Sequence, residues 1–421
     1  MKNKIKTWHW IIFLLLLIMT FRFEVIIDCF TFWGMYIGLL ISDFKTAAQL
    51  FDLNTFEILL SPLLIILLVF FIVKFRKKKF FSAGLTFTTA FSVLLIFIFL
   101  FASIVSNRNP EFQKDLSVTR LLIPFSTVKS IVVKNQIVPT DREKLVELKQ
   151  KIIPMSYNGN IFFADSMSND QKKYYRGNKE YLVSSLLKSD QNYQVEEKSF
   201  LLGTDEFGRD ILTRLIFGTR TSLLIGLSSV VVSLLIGILF GFFAASNPGI
   251  IDTVLNRFAE VMLAFPVIYL VVLILALFGS SLISIVIVLG FSGWMSLFKI
   301  VRSEIVSLKK KDFIVSANLI GLSKKQILLK EILPVIIIPV IVNTIFQFSN
   351  VILAESALSY LGLTVSGGYP SWGSMIESGQ EYIRIAWWMI VFPGAILILT
   401  LFTFNNLGRK LNEFFIPRTQ Q

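Results

Sequence analysis

The chain has 421 residues, 54% of them hydrophobic and 16% charged, and a formal net charge of +13. This is more apolar than a soluble domain, and several runs approach the roughly 20 residues that cross a bilayer, so we expect a polytopic membrane protein whose positive charge anchors it in the membrane rather than binding nucleic acid. One cysteine, Cys29, and one histidine, His9, exclude an intrachain disulfide and a metal site built from His and Cys.

Residues 1–106 form an N-terminal membrane region in which we predict about three spans. The lysines at positions 2, 4 and 6 precede an apolar run at 8–21 without a signal-peptide cleavage site, so we expect this run to be retained as the first span. Arg22 and Glu24 interrupt this run, and the next one, 30–41, is apolar but short, which favours an interfacial or re-entrant piece. The runs 56–73 and 81–106 flank a basic stretch at 74–79, which indicates a cytoplasmic loop.

Residues 107–200 carry both signs of charge and no spanning run, which predicts a small extracytoplasmic α+β insertion. The pattern predicts a strand at 130–138, a helix that follows Thr140 and runs toward Lys151, and a second helix over 179–188. Long loops translocate largely regardless of charge, so the lysines do not place it inside. It shows no paired carboxylates or nucleophile constellation, and we interpret it as a structural or docking element.

The segment that follows, LGTDEFGRDILTRLIFGTRTSL at 202–223, is rich in Gly, Asp and Arg. We expect a turn and then an amphipathic interfacial helix, with Arg209 and Arg214 facing water. The glycine spacing is not that of a nucleotide-binding loop, and the chain contains no G-x-x-x-x-G-K-[ST] phosphate loop. If ATP drives this protein, another chain must bind it.

Five further spans are predicted over 222–245, 252–278, 282–301, 334–363 and 390–404, with a kink at Pro266. The fourth carries Asn343, Gln347 and Asn350 at helical spacing on one face, which suits either a pore lining or hydrogen bonds between helices. Glu355 on the same span is a candidate for the translocation path or outer gate; a structural pairing or capping role is the alternative.

The stretch 312–334, between two of these spans, is polar and basic. We predict two short helices joined at Gly321, because glycine accepts the left-handed conformation that ends a helix. Ser323 is placed to cap the second helix, and Pro334 to begin the next span.

Three patterns in this chain resemble one family. Val315-Ser316-Ala317, Gly321 and Ile332-Leu333-Pro334 resemble the coupling ("EAA") loop of ABC importer permeases, except that Val315 stands where the family usually has Glu. The 202–223 segment resembles a signature of the oligopeptide, dipeptide and nickel permeases of the C type, and 354–363 and 370–373 match the same family. The signature residues are Gly203, Thr204, Asp205, Gly208, Arg209 and Asp210.

The resemblance implies an all-α polytopic protein with an ABC importer type I permease core at 201–421, to which the N-terminal spans and the insertion are additions. The family core usually has six spans, whereas about eight spans in the inner membrane, with both termini cytoplasmic, fit the charge asymmetry of this chain. The resemblance implies a homologous permease, two ABC ATPase subunits and an extracytoplasmic binding protein as partners, with ATP and Mg²⁺ on the ATPases and no cofactor or catalytic residue on this chain. The expected function is import of oligopeptides or dipeptides by alternating access, with residues 315–317, 321, 332 and 334 contacting the ATPase.

Alternatives from other classes remain open at this point. A secondary transporter or channel would work without an ATPase, and the coupling loop argues against it. A membrane-anchored receptor or enzyme built around 107–200 would leave the patterns beyond residue 202 unexplained. Within the same family, nickel or another small solute could replace peptides as the cargo.

Overall fold

The structure is a computed structural model that describes residues 5–51, 53–75, 85–106, 108–135, 141–152, 161–177, 179–187, 191–264, 266–279, 281–323, 326–363 and 370–415. The chain forms two compact units, Met1–Arg220 with Pro370–Gly394 and Thr221–Tyr369 with Ala395–Gln421. Helices dominate, and seven of those described are long and apolar enough to cross a membrane. The division into 1–106, 107–200 and 201–421 stays a prediction.

In the part of the N-terminal region that the structure describes, the helices are α1 (Thr7–Phe21), α2 (Phe23–Ser42), α3 (Phe44–Leu50), α4 (Leu53–Phe75) and α5 (Phe87–Val105). The first and last run parallel, side by side. Leu85 N donates to the Ile5 carbonyl at one end, and Trp10 Nε1 donates to the Ala90 carbonyl at 3.1 Å further along. At the other end Arg22 donates to the carbonyls of Ile104 and Ser106. The 15 residues of α1 therefore accompany α5, a candidate span, over its full length.

Helix α2 corrects the prediction for 30–41. It has 20 residues and is one of the seven candidate spans, so the run is not too short to cross a membrane. Arg22 lies at the break between α1 and α2, where the interruption was predicted, and Glu24 lies in the first turn of α2. A carboxylate is favourable there because the helix N-terminus carries partial positive charge.

The insertion contains two three-stranded antiparallel sheets and one long helix, α6 (Asp141–Ile152). The strands are β1 (Ser126–Asn135), β2 (Ile161–Ala164), β3 (Ser166–Met167), β4 (Lys173–Arg176), β5 (Lys179–Leu182) and β6 (Gln191–Phe200), in the orders β2-β1-β6 and β3-β4-β5. The strand predicted at 130–138 and the helix ending near Lys151 are present. The helix predicted over 179–188 is wrong, because residues 179–182 pair with β4 and a 3₁₀ turn (Val183–Leu186) follows.

Helix α6 packs against the N-terminal helices. Leu145 and Ile152 are buried in the same apolar cluster as Val25 and Cys29 of α2. Lys151 Nζ lies 2.7 Å from the Asp28 carboxylate. The insertion and the N-terminal region thus share one core.

Beyond residue 200 the helices are α7 (Ile211–Ser246), α8 (Ile250–Ala264), α9 (Val267–Phe278), α10 (Leu282–Leu308), α11 (Asp312–Leu319), α12 (Leu333–Tyr360), α13 (Trp372–Gly379) and α14 (Trp388–Phe415). Glycines allow α7 to approach its neighbours closely. A Cβ added at Gly237 or Gly241 would lie within 3 Å of Leu297 or Val301 on α10, and one at Gly226 would touch Phe348 on α12. Small residues at these contacts allow the helix backbones to approach closely.

Two predicted spans change in the structure. The interval 252–278 is two helices rather than one kinked span, and Pro266 stands at the N-cap of the second. Proline lacks the N–H that would continue the helical hydrogen bonds, which accounts for a break at this point. The interval 252–278 and the shorter helix α1 are both absent from the candidates and α2 is added, so seven described candidates replace the predicted eight.

Candidate translocation and coupling sites

The coupling loop is a helical hairpin. Helix α11 occupies 312–319, and Gly321 follows it with φ +87°, the left-handed conformation predicted for it. Ser323 and Gln326 cap the next helical segment reciprocally: Gln326 N donates to Ser323 Oγ at 3.3 Å, and Ser323 N donates to Gln326 Oε1 at 2.9 Å. Lys324 and Lys325 lie outside the described residues. The sequence therefore predicted both the bend and its cap.

Pro334 lies at the start of the α-helix as predicted, but the helical segment begins earlier than the prediction placed it. A π-helical turn over Ile327–Ile332 leads without a gap into α12, so the apolar helix runs from Ile327 to Tyr360. Pro334 lies in the first turn of the α-helical part, where its missing N–H costs little. The second arm of the hairpin is consequently continuous with a candidate membrane helix.

Some of the residues predicted to contact the ATPase are exposed in the structure, and others are buried. Val315, Ser316, Gly321 and Pro334 are exposed. Ala317 and Ile332 are instead buried in an apolar cluster that includes Ile305 and Ile336. Ala317 and Ile332 therefore fasten the hairpin to α10 and α12, and only the exposed members are free to meet another protein.

The polar face of α12 lines a groove against α10. Asn343, Gln347 and Asn350 border it from α12, and Ser292 and Ser296 border it from α10, around a cavity of about 270 Å³. Their shared face is confirmed, while a role in translocation stays a prediction. The serines were missed in the sequence, although Ser292, Ser296 and Ser303 also recur at helical spacing on one face of α10.

Glu355 lies apart from this groove. Its side chain is buried, and Ser359 Oγ donates to it at 2.9 Å while Ser222 Oγ on α7 lies at 3.4 Å. These surroundings agree with the structural pairing role that was the alternative for Glu355, since serine hydroxyls from two helices hold its carboxyl group. A gating role for Glu355 stays a prediction.

The 203–210 signature forms a buried ion-pair network, which corrects the expectation that its arginines face water. Arg209 Nε donates to Asp205 at 2.6 Å, and Arg209 and Arg214 both donate to Glu111, at 2.8 and 2.9 Å. Both arginines are more than 90% buried. Arg214 belongs to α7, which runs through 211–246 without a separate interfacial helix. Glu111 lies about a hundred positions earlier, so no local pattern could reveal it.

Backbone geometry explains the two signature glycines. Gly203 and Gly208 have φ +78° and +71°, and a Cβ on either would collide with the segment around 119–123. Between them Thr204 Oγ1 accepts from Leu122 N at 2.8 Å, and the Thr204 carbonyl accepts from Trp388 Nε1 at 3.0 Å. Asp210 caps α7 by accepting from Thr213 N at 3.1 Å. The signature is therefore a folding motif that joins the insertion to the start of α7.

Burial affects the charges of this network. It raises the pKa of Glu206, and the neighbouring Asp205 raises it further. Burial lowers the pKa of Arg108, partly offset by Asp210, 3.6 Å away. For Arg209, burial is outweighed by Asp205 and Glu111, which raise its pKa. One buried oxygen of Glu206 has no hydrogen-bond partner among the described residues.

Comparisons with known proteins place these features in one family. Residues 237–421, which include the hairpin and the groove, match the model of the binding-protein-dependent transport system inner membrane component. The chain is 38% identical over 219 residues to the di/tripeptide transport system permease protein DppC of Pseudomonas aeruginosa, covering 52% of this chain and 72% of that protein. The chain belongs to this permease family.

Other permeases show the same extent of similarity. The oligopeptide transport system permease protein OppC of Haemophilus influenzae is 37% identical over 216 residues, covering 51% of this chain and 70% of that one. OppC of Escherichia coli is 33% identical over 222 residues, covering 53% and 74%. Among solved structures, an amino acid ABC transporter aligns with a TM-score of 0.40 at 17% identity, over 48% of this chain and 94% of its own.

Proposed function

We propose that this permease is the transmembrane subunit of an ATP-driven, binding-protein-dependent importer of oligopeptides or dipeptides, working by alternating access. The hairpin at 312–334 carries the proposal, because its second arm is continuous with a candidate membrane helix and it offers an exposed surface to a partner. ATP hydrolysis would occur on two ABC ATPase subunits, which would hold the ATP and Mg²⁺. This chain would need no cofactor of its own.

The surface of the hairpin suits a protein partner. Phe313, Val315, Leu319 and Ile320 are exposed apolar side chains on a segment rich in lysine. Exposed apolar side chains grouped in this way mark surfaces that another protein covers. Val315 stands where the resemblance leads one to expect Glu, and its exposure adds apolar area to the same surface.

The other partners follow from the family. A homologous permease would complete the pathway in the membrane lipid, and an extracytoplasmic binding protein would deliver the cargo; no nucleic acid is involved. Both termini and the basic stretch at 74–79 would be cytoplasmic, and the insertion at 107–200 extracytoplasmic, in the inner membrane.

The groove favours peptides over nickel. Its polar lining consists of serine hydroxyls and the amides of Asn343, Gln347 and Asn350. Nickel prefers imidazole ligands, and thiolates bind soft metals. Neutral amides, by contrast, are weak ligands for nickel. The names of the relatives, which are di/tripeptide and oligopeptide permeases, point the same way.

Transport by the assembled complex tests the proposal. The permease, a homologous permease, the ATPases and the binding protein would be reconstituted in proteoliposomes with radiolabelled trialanine. We expect that uptake requires ATP on the side of the membrane that carries the ATPases. We also expect that it requires the binding protein. Uptake driven by an ion gradient without ATP would instead indicate a secondary transporter. Uptake of nickel without uptake of peptide would overturn the assignment of peptides as the cargo.

A further inference from the structure

The groove between α10 and α12 contains polar groups that make no hydrogen bond with any residue that the structure describes. Gln347 is more than 90% buried, yet neither its Oε1 nor its Nε2 has a partner among the described residues. The buried Oδ1 of Asn343, one turn away on the same face, also has none there. Both side chains line the 270 Å³ cavity.

Such groups are costly at this location. Both helices are candidate membrane spans, and hydrocarbon offers no hydrogen bonds to an unpaired amide. A buried polar group without a partner costs roughly 1–3 kcal/mol. The amides therefore call for water or a polar ligand in the groove, and the ligand has to supply both donors and acceptors.

Glycine at position 293 makes room for the amide. A Cβ at Gly293 would overlap Gln347 Nε2 and would lie 2.7 Å from Ser233 Oγ. The Gln347 amide thus occupies the space that a side chain on α10 would fill. It is held against the backbone of the opposite helix, beside the cavity, instead of extending freely.

We propose that this groove binds the main chain of the transported peptide, with Gln347 and Asn343 hydrogen-bonding to its peptide groups. This inference rests on the proposed function and names the part of the cargo that the site recognises. A primary amide carries an N–H donor and a C=O acceptor on one plane, and a peptide group presents the complementary pair. The peptide groups of the main chain are the same in every sequence, so the contact is independent of sequence.

The charge of the groove supports recognition of the main chain rather than side chains. Its lining contains no charged residue, and its other walls are apolar or small, among them Leu289 and Val351. Ser296 and Asn350 at its border are exposed, so the groove is open on one side. A peptide whose backbone faces Gln347 can direct its side chains through that opening, and acidic and basic peptides would bind alike.

A protection experiment on the full chain tests the proposal without requiring transport. Starting from a Cys29→Ser background in lipid nanodiscs, Ser296→Cys places a thiol at the groove. Ser303→Cys places one on an exposed site of the same helix outside the groove lining. The probe is N-acetyl-dialanine N-methylamide, which is uncharged, and its counterpart carries methyl groups on every amide nitrogen. The measurement is the rate of alkylation by a maleimide at increasing probe concentration.

We expect the probe to slow alkylation of Ser296→Cys and to leave Ser303→Cys unchanged. The methylated counterpart, which cannot donate, should require about tenfold higher concentration, as should the unmethylated probe with Gln347→Leu. Probes containing Lys or Glu should protect at concentrations within about twofold of each other, as the neutral lining requires. Should Gln347→Leu fail to accumulate, Asn343→Leu is expected to show the same loss.

Equal protection by the methylated and unmethylated probes would overturn the proposal, and so would undiminished protection in both amide variants. A strong preference for one charge would also contradict it. Protection without ATP-dependent uptake would refute the proposed importer function and leave this site standing. Peptide uptake without protection would refute the proposed binding site and leave the importer function standing.

Discussion

Replacing Gly321 with valine is expected to weaken association with the ATPase while leaving membrane insertion intact. Gly321 has φ +87°, and nothing lies within 4 Å of the position where its Cβ would be. A side chain at this position therefore meets no steric clash, and its only cost is strain in the left-handed backbone conformation. That strain is roughly 1–2 kcal/mol, and somewhat more for a β-branched residue. If docking requires the observed bend, this corresponds to about 5- to 30-fold weaker association.

The assay is a pull-down of the ATPase by tagged permease at several ATPase concentrations, together with immunodetection of the permease in membranes. Gly279→Val is a matched control, because Gly279 has φ +79°, equally open surroundings and a place at the end of α9, away from the hairpin. Gly321→Asn is a second control, since asparagine tolerates the left-handed conformation. Both should bind the ATPase nearly as wild type.

The reasoning would be refuted if Gly321→Val bound the ATPase with wild-type affinity, because the bend would then be irrelevant to docking. Equal weakening by Gly279→Val would refute it as well. In that case the loss would reflect general destabilisation by a strained residue. Reduced accumulation of Gly321→Val alone would contradict the claim that the hairpin has room for a side chain.

Three further outcomes are expected. Asp205→Asn should destabilise the purified permease by about 3–5 kcal/mol in thermal unfolding because it strands buried arginines, whereas Glu197→Gln in an exposed pair with Lys129 should cost under about 1 kcal/mol; similar losses would contradict the buried network. Glu206→Gln should stabilise the protein at pH values above the raised pKa of Glu206, where the folded state must hold an ionised carboxylate. The gain in stability should vanish below the ordinary carboxyl pKa. A gain in stability that appears only at acid pH would contradict this reasoning. In a background without the native cysteine, Ser166→Cys should react with an impermeant maleimide in intact cells and Ser316→Cys should not, and the opposite result would invert the topology.

Features that depend on neighbouring residues could be predicted from the sequence. The bend at Gly321 and its cap at Ser323 follow from the conformational preferences of those residues. The polar face at 343, 347 and 350 follows from helical periodicity, and its presence along one groove agrees with that pattern. The apolar runs located most of the spans for the same reason, although their ends were misplaced by several residues.

Long-range pairing decided what the sequence left open. The stretch 179–182 looks helical in isolation, but its backbone completes a sheet with β4, and an adjacent strand overrides a weak helical preference. Arg209 and Arg214 look like surface charges until the half-buried Glu111 is brought to them, after which burial of the two arginines becomes tolerable.

The amino-acid sequence by itself determined a polytopic membrane protein, the hairpin and the polar face of α12, because each is written in composition or in spacing of a few residues. Only the tertiary structure decided which of those groups remain without a partner. Gln347 has no hydrogen-bond partner among the described residues because α10 presents Gly293 to it, and Glu355 has serines because α7 lies beside it. Whether a polar residue is satisfied depends on what a distant segment places opposite it, and spacing along one helix carries no information about that.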